Sequence, residues 1–177
     1  MDPSTPICRV GLIGCGIAAQ FFHAPAYRRL AGTARVIAIA DPNSANRQLV
    51  QEILGYGVQQ YASPEDMLRH EDLDLVDVML PHHLYVDVVP RIVERCRSML
   101  LEKPFARTLD EAKIILEATS SVPFSVVHNY LYGRRYKQAL EAIRVGDIGQ
   151  PFLLRLENLQ TGMTSIDPDL STDWRTK

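Results

Sequence analysis

Hydrophobic residues in this chain come in short, nearly unbroken runs, separated by longer stretches where they recur every three or four positions. The runs RVGLIG (9–14), RVIAIAD (35–41), LDLVDVML (73–80), SMLLE (98–102) and PFSVV (123–127), with a weaker GVQQY (57–61), predict six parallel strands. Strands so apolar on both sides belong in a sheet covered on both faces. Helical spacing fills residues 17–31, 43–55, 64–70, 84–96 and 108–120 between them. Strand and helix in alternation form the βαβ rhythm of a Rossmann-type, doubly wound α/β sheet. Ser63 before Pro64 with Asp66 third, and Thr108 with Glu111 third, mark two helix starts.

After residue 123 the rhythm changes. A helix over 134–145 ends at Gly146, and PFLLRLENL (151–159) alternates Leu154 and Leu156 with Arg155 and Glu157, the pattern of an antiparallel strand with one wet face. The expected organisation is a doubly wound domain over 1–122 followed by an incomplete α+β domain over 123–177. One helix and one strand cannot close a core, and SIDPDLSTDWRTK at the end shows neither period.

The first strand-to-helix corner carries the first chemistry. Gly14, Gly16 and Ala19 stand in a G-x-G-x-x-A pattern, and Asp41 ends the next strand 22 residues beyond Ala19. In that setting the first glycine makes a tight turn, the second lets the backbone approach a pyrophosphate, and the small third residue lets helix and strand pack closely. The phosphates would rest on unpaired N–H groups at the positive end of the helix. Asp41 would accept from ribose hydroxyls and repel a 2′-phosphate, so NAD is the expected cofactor and NADP the alternative.

Composition narrows the remaining options. Nineteen basic and 21 acidic residues, interleaved, give a net charge of −2 and none of the basic stripe that nucleic acid requires. The three cysteines, Cys8, Cys15 and Cys96, have neither disulfide nor zinc spacing. No apolar run reaches membrane-spanning length, and MDPSTP has no leader character, so a cytoplasmic protein is expected, with no membrane partner. Paired His82 and His83 lack the Asp, Glu or Cys neighbours of a metal site, and no metal is expected. His23 and His70 read as structural or solvated.

Glu102, Lys103 and Pro104 follow the fifth strand, at the carboxyl edge where open α/β sheets bind ligands. By spacing alone E-K-P is a surface turn. Taken with VGLIGCGIAAQFFHAP, ADPNSANRQLVQE, LPHHLYVDVV, LLEKPFARTLDEAKIILEA and GDIGQPFLLRLE, in that order, the chain resembles the glucose-fructose oxidoreductase, inositol dehydrogenase and rhizopine-catabolism (Gfo/Idh/MocA) family over nearly its whole length.

That resemblance implies an NAD(P)-dependent oxidoreductase that transfers hydride between a nicotinamide and a sugar, cyclitol or related polyol. Lys103 would be the catalytic lysine that hydrogen-bonds the reacting oxygen, with Glu102 and Pro104 shaping the nicotinamide pocket. A cis Lys103–Pro104 bond, a form taken by only about 5–6% of X-Pro bonds, is the hypothesis for this turn. Where the family has T-P-N-x-x-H, this chain has Leu80, Pro81, His82, His83, Leu84 and Tyr85. Pro81 and His82 would line the cofactor, with His82 in the asparagine position and Tyr85 in the histidine position. His128, after the sixth strand, is a candidate substrate contact. The family continues past a Trp-Arg pair, here Trp174 and Arg175, into a glycine-rich turn bearing an acid/base Asp and His. Its second-domain sheet commonly forms a homo-oligomer interface. The alternative reading is a non-catalytic dinucleotide-binding module, or a fragment lacking those residues.

Overall fold

In the computed structural model, described over residues 6–155 and 157, six strands form one parallel sheet in the order β3-β2-β1-β4-β5-β6. They are β1 (Cys8–Ile13), β2 (Ala34–Ala40), β3 (Gln59–Tyr61), β4 (Leu75–Val78), β5 (Met99–Leu101) and β6 (Phe124–Val126). This is the doubly wound order, and the chain reverses direction across the sheet between β1 and β4, the switch point where such sheets open a crevice. The expected fold class is met, with strands shorter than the apolar runs. The runs overshoot because apolar residues beyond the ladder also pack against helices.

Residues 17–29 are helical throughout. Within them Ala19–His23 is a π-turn, which leads into α1 (Ala24–Arg29). The other helices of this unit are α2 (Ser44–Leu54), α3 (Pro64–His70), α4 (Tyr85–Ile92) and α5 (Leu109–Ala118). Their starts follow local chemistry. Asn43 Oδ1 accepts from the Ala45 amide at 2.9 Å, and Ser63 Oγ accepts from the Asp66 amide at 3.2 Å. Thr108 Oγ1 accepts from the Glu111 amide at 3.2 Å, while the Glu111 carboxylate reaches back to the Arg107 amide, one residue before the expected partner.

Both sheet faces are covered. Ile13, Val76, Val78, Met99 and Leu101 pack with Met67, Tyr85, Val89, Ile92 and Ile115 of α3, α4 and α5. Val10, Leu12, Val36 and Ile39 pack with Ala19, Ala24, Tyr27, Val50 and Leu54 on the opposite side. Val36 and Ile39 share a face although three residues apart, because the β1–β2 register slips between Val10 and Gly11 and leaves Ile37 as an extra residue in β2.

The chain divides into two compact units between Val127 and His128. Phe124–Val126 is a full partner of β5, so the first unit runs past the expected boundary at residue 122. The second unit contains a short 3₁₀ turn over Asn129–Tyr132 and α6 (Arg134–Arg144), with Gly146 in the left-handed region after it. The expected strand does not form over 151–155, where Phe152, Leu153 and Leu154 are exposed. A ladder needs a neighbour, and no partner strand pairs with this segment among the described residues. Leu156, Trp174 and Arg175 lie outside the described residues.

Two substitutions on α5 separate its faces. Ile115 is fully buried and Leu116 is half exposed. Ile115→Ala is expected to cost about 2–5 kcal/mol and Leu116→Ala to stay within about 0.5 kcal/mol, both read by denaturant unfolding. At the end of β1, Gly14 has φ +90°, and a Cβ there would lie 2.2 Å from the Met79 carbonyl oxygen, whereas one on Gly16 meets nothing within 4 Å. Gly14→Ala is therefore expected to cost about 3 kcal/mol or more, and Gly16→Ala less than about 1 kcal/mol, in the same assay.

Candidate functional site

The carboxyl ends of β1, β2, β4 and β5 bring the sequence motifs together. β1 ends at Gly14, whose amide donates to the Ala40 carbonyl at 2.8 Å, and the Met79 amide donates to the Ile13 carbonyl at 2.8 Å. These bonds pin the glycine loop between β2 and the end of β4. Gly14 has no room for a side chain, while Gly16 faces open space where a phosphate can approach the backbone. Ala19 is fully buried between helix and sheet, as close packing of the two requires. The groups present fit a dinucleotide.

Asp41 stands beside that loop. Its Oδ2 accepts from the Cys15 amide at 2.7 Å and its Oδ1 from the Asn43 amide at 2.8 Å. A carboxylate has about four acceptor positions, so two remain open while the backbone fixes its orientation. Arg47 Nη1 donates to the Asp41 carbonyl, which places a cation next to that carboxylate. Cys15 itself is buried, and burial with the neighbouring Asp41 charge pushes its thiol up to about 12. It is a packed, protonated side chain.

On the other side of the crevice, the Glu102 amide donates to the Val78 carbonyl at 2.9 Å, which places Glu102, Lys103 and Pro104 beyond the end of β4. The Lys103–Pro104 peptide is cis, and Lys103 is exposed. Pro81 and His82 begin the 3₁₀ turn over His82–Leu84 that precedes α4. His82 is held below the ordinary imidazole range by burial and then by the Lys103 charge, so it is neutral at pH 7. Tyr85, expected in the family's histidine position, is instead fully buried, and its hydroxyl donates to the Val78 carbonyl at 2.9 Å. It braces the end of β4 from beneath.

His23, expected to be structural or solvated, is structural: it is buried within the π-turn, with Nδ1 2.7 Å from Asp77 Oδ2 and Nε2 3.0 Å from Glu102 Oε1. The Tyr27 hydroxyl also donates to Asp77 Oδ2, at 3.0 Å, and the Lys103 amide donates to Glu102 Oε2 at 2.8 Å. The signals for this cluster lay in two places. Ala19, His23 and Tyr27 recur every four residues as one buried stripe. Asp77 is a carboxylate inside a central apolar strand, and such a charge requires partners. His70, by contrast, is exposed near its helix end and hydrogen-bonds the Asp66 carbonyl.

His128 belongs to the second unit, where it is exposed and its carbonyl accepts from the Leu131 amide at 3.0 Å. Among the described residues no group of three His, Cys, Asp or Glu is placed to hold a metal ion, and no helix is long and apolar enough to cross a membrane.

The chain is similar to known proteins. YMR315W of Saccharomyces cerevisiae is 30% identical over 171 residues, covering 95% of this chain and 48% of its own. The rhizopine catabolism protein MocA of Rhizobium meliloti is 31% identical over 151 residues, covering 82% of this chain and 45% of its own. The chain thus spans about half the length of these curated relatives. The crystal structure of the WlbA dehydrogenase from Bordetella pertussis, in complex with NADH and UDP-GlcNAcA, has the same fold, with a TM-score of 0.73 at 24% identity over 81% of this chain and 44% of that one. The sequence profile of the Gfo/Idh/MocA family, an oxidoreductase family with an NAD-binding Rossmann fold, matches residues 8–128. With the glycine loop, Asp41 and the Glu102-Lys103-Pro104 turn gathered at one sheet edge, the match over most of the chain has a structural counterpart, and the chain belongs to the Gfo/Idh/MocA oxidoreductase family.

Proposed function

We propose that these residues form the dinucleotide half of an NAD(P)-dependent oxidoreductase that moves hydride between a nicotinamide and a hydroxyl, or its ketone, on a sugar, cyclitol or related polyol. The observation that carries the reading is the convergence, at the β1–β4 switch point, of an open Gly16 backbone, an anchored Asp41 and an exposed Lys103. The similarity of the chain to MocA, named for rhizopine catabolism, and its fold likeness to a dehydrogenase held with NADH and a nucleotide sugar support the substrate class.

In this reading the backbone at Gly14 and Gly16 receives the pyrophosphate, Ala19 lets the helix approach closely enough to contribute its N–H groups, and Asp41 takes the ribose hydroxyls. A bound nicotinamide supplies or accepts the hydride. Pro81, His82, Glu102 and Pro104 border its position. Neutral His82 stands there with its ring engaged by the Lys103 backbone. The Lys103 ammonium would meet the substrate oxygen and stabilise the negative charge on it as the hydroxyl proton passes to water and hydride leaves the adjoining carbon for the nicotinamide. His128 is kept as a proposed substrate contact, and the family's second-domain sheet, no strand of which forms among the described residues, as the proposed surface through which copies associate.

Asp41 and Arg47 bear on cofactor choice in opposite directions. The carboxylate repels a 2′-phosphate, and the Arg47 guanidinium is already engaged by the Asp41 carbonyl, so the balance favours NAD. Calorimetric titration of the 177-residue chain with NADH and NADPH is expected to show saturable binding, at least about tenfold tighter for NADH, equivalent to about 1.4 kcal/mol. Absence of binding by folded protein would remove the cradle assignment. Lys103→Ala is expected to leave NADH affinity within about twofold while lowering kcat/KM for a responsive polyol by about a hundredfold or more. A loss of affinity instead would make Lys103 a cofactor clamp.

A further inference from the structure

We propose that His23, held between Asp77 and Glu102, is a positioning residue that locks the Glu102–Lys103 peptide to the helix following the glycine loop. The clamp rests on the assignment of Lys103 above, and it deepens that assignment by naming what aims the lysine. Three elements meet at this imidazole: the π-turn of the first helix, the middle of β4, and the end of β5. One Glu102 oxygen takes the His23 ring and the other takes the Lys103 amide at 2.8 Å. A single side chain therefore connects His23 to the backbone nitrogen of the proposed catalytic lysine.

The geometry also sets the charge state. Each ring nitrogen faces a carboxylate oxygen, at 2.7 and 3.0 Å; with both carboxylates accepting, both nitrogens donate, and the imidazolium is the ring state the proposal assigns. Burial would lower its pKa, but the hydrogen bonds to Asp77 and Glu102 outweigh burial and raise it from 6.5 to about 9. The charged and titratable groups that face it or its two carboxylates are Asp77 on β4, Tyr27 on α1, Glu102 and Lys103 after β5, His82 on the 3₁₀ turn and Tyr85 on α4. Burial pushes Tyr27 and Tyr85 up, beyond the alkaline range in question. Burial opposes ionisation of Glu102, yet its bonds from His23 and the Lys103 amide hold it below the ordinary carboxylate range, and burial holds His82 low. Because the folded-state pKa is raised, the stabilisation from His23 is complete below pH 6.5 and is lost as pH rises through about 9.

The test is an NMR titration of the isotopically labelled 177-residue chain. It follows the His23 ring nitrogens and, by carbon-detected carbonyl–nitrogen correlation, the Glu102–Lys103 peptide. In the wild type both ring nitrogens are expected to be protonated at pH 7, and the peptide signal is expected to shift together with the ring near pH 9. In His23→Gln that peptide shift is lost. A neutral His23 at pH 7, or a peptide signal indifferent to the ring, overturns the proposal, and both are read on the wild type even where the variant does not fold. NADH titration then separates this inference from the functional reading. The expected result is affinity about tenfold weaker in His23→Gln at pH 7, because Glu102, which borders the nicotinamide, loses its anchor, as for loss of one charge-assisted hydrogen bond, with wild-type affinity falling toward it as pH passes 9. Equal affinities in wild type and variant count against the clamp. Coupled titration in a wild-type chain that does not bind NADH leaves the clamp standing and removes the cofactor assignment.

Discussion

The whole edge of the molecule depends on how closely β1 approaches the end of β4. With Gly14 at φ +90° and the Met79 carbonyl where a Cβ would lie, the two strand ends come together at a distance no other residue permits. From that contact follow the direction of the loop, the exposure of the Gly16 backbone and the start of the helix at residue 17. The Met79 amide bond to the Ile13 carbonyl and the Glu102 amide bond to the Val78 carbonyl continue the same alignment across three strands. The open backbone at the switch point is thus a result of strand register before it is a property of any side chain.

Inside the sheet the dominant problem is electrostatic. Asp77 is fully buried in β4 among valines, and an unpaired carboxylate there would be far costlier than the strand could tolerate. The π-turn resolves this by bringing His23 to it, with Tyr27 one α-turn further on. A π-turn shifts the residues that follow it relative to a regular helix, and such turns recur at functional sites. Here it serves two ends, covering a buried charge and carrying a cation to the base of the Glu102-Lys103-Pro104 turn.

How much of this was legible in the sequence depends on the range of the interaction. The six strands, the helix starts at Ser63 and Thr108 and the glycine corner were readable because each is written within a few residues, in apolar runs, capping side chains or glycine spacing. The His23 cluster was not, since it joins residues 54 and 79 positions apart and shows locally as one polar residue on a helix. Alternation in 151–157 suggested a strand, but pairing is a property of two segments and one was all the sequence offered. The boundary moved past residue 122 for a similar reason: Phe124–Val126 reads as a strand by itself, and only its ladder with β5 assigns it to the first unit.

The two carboxylates at the crevice illustrate how identical chemistry is assigned different work by its hydrogen bonds. Asp41 is fixed by two backbone amides and is only partly buried, so it keeps acceptor capacity at the surface of the loop. Glu102 has each oxygen committed inward, one to His23 and one to the Lys103 amide. A carboxylate engaged in that way, and held below its ordinary pKa by those bonds, is a poor base for a substrate proton and a good anchor for the residue beside it. Under the proposed function, the division would place ligand recognition on Asp41 and orientation on Glu102, and would leave the exposed Lys103 as the group of the turn to meet a substrate oxygen.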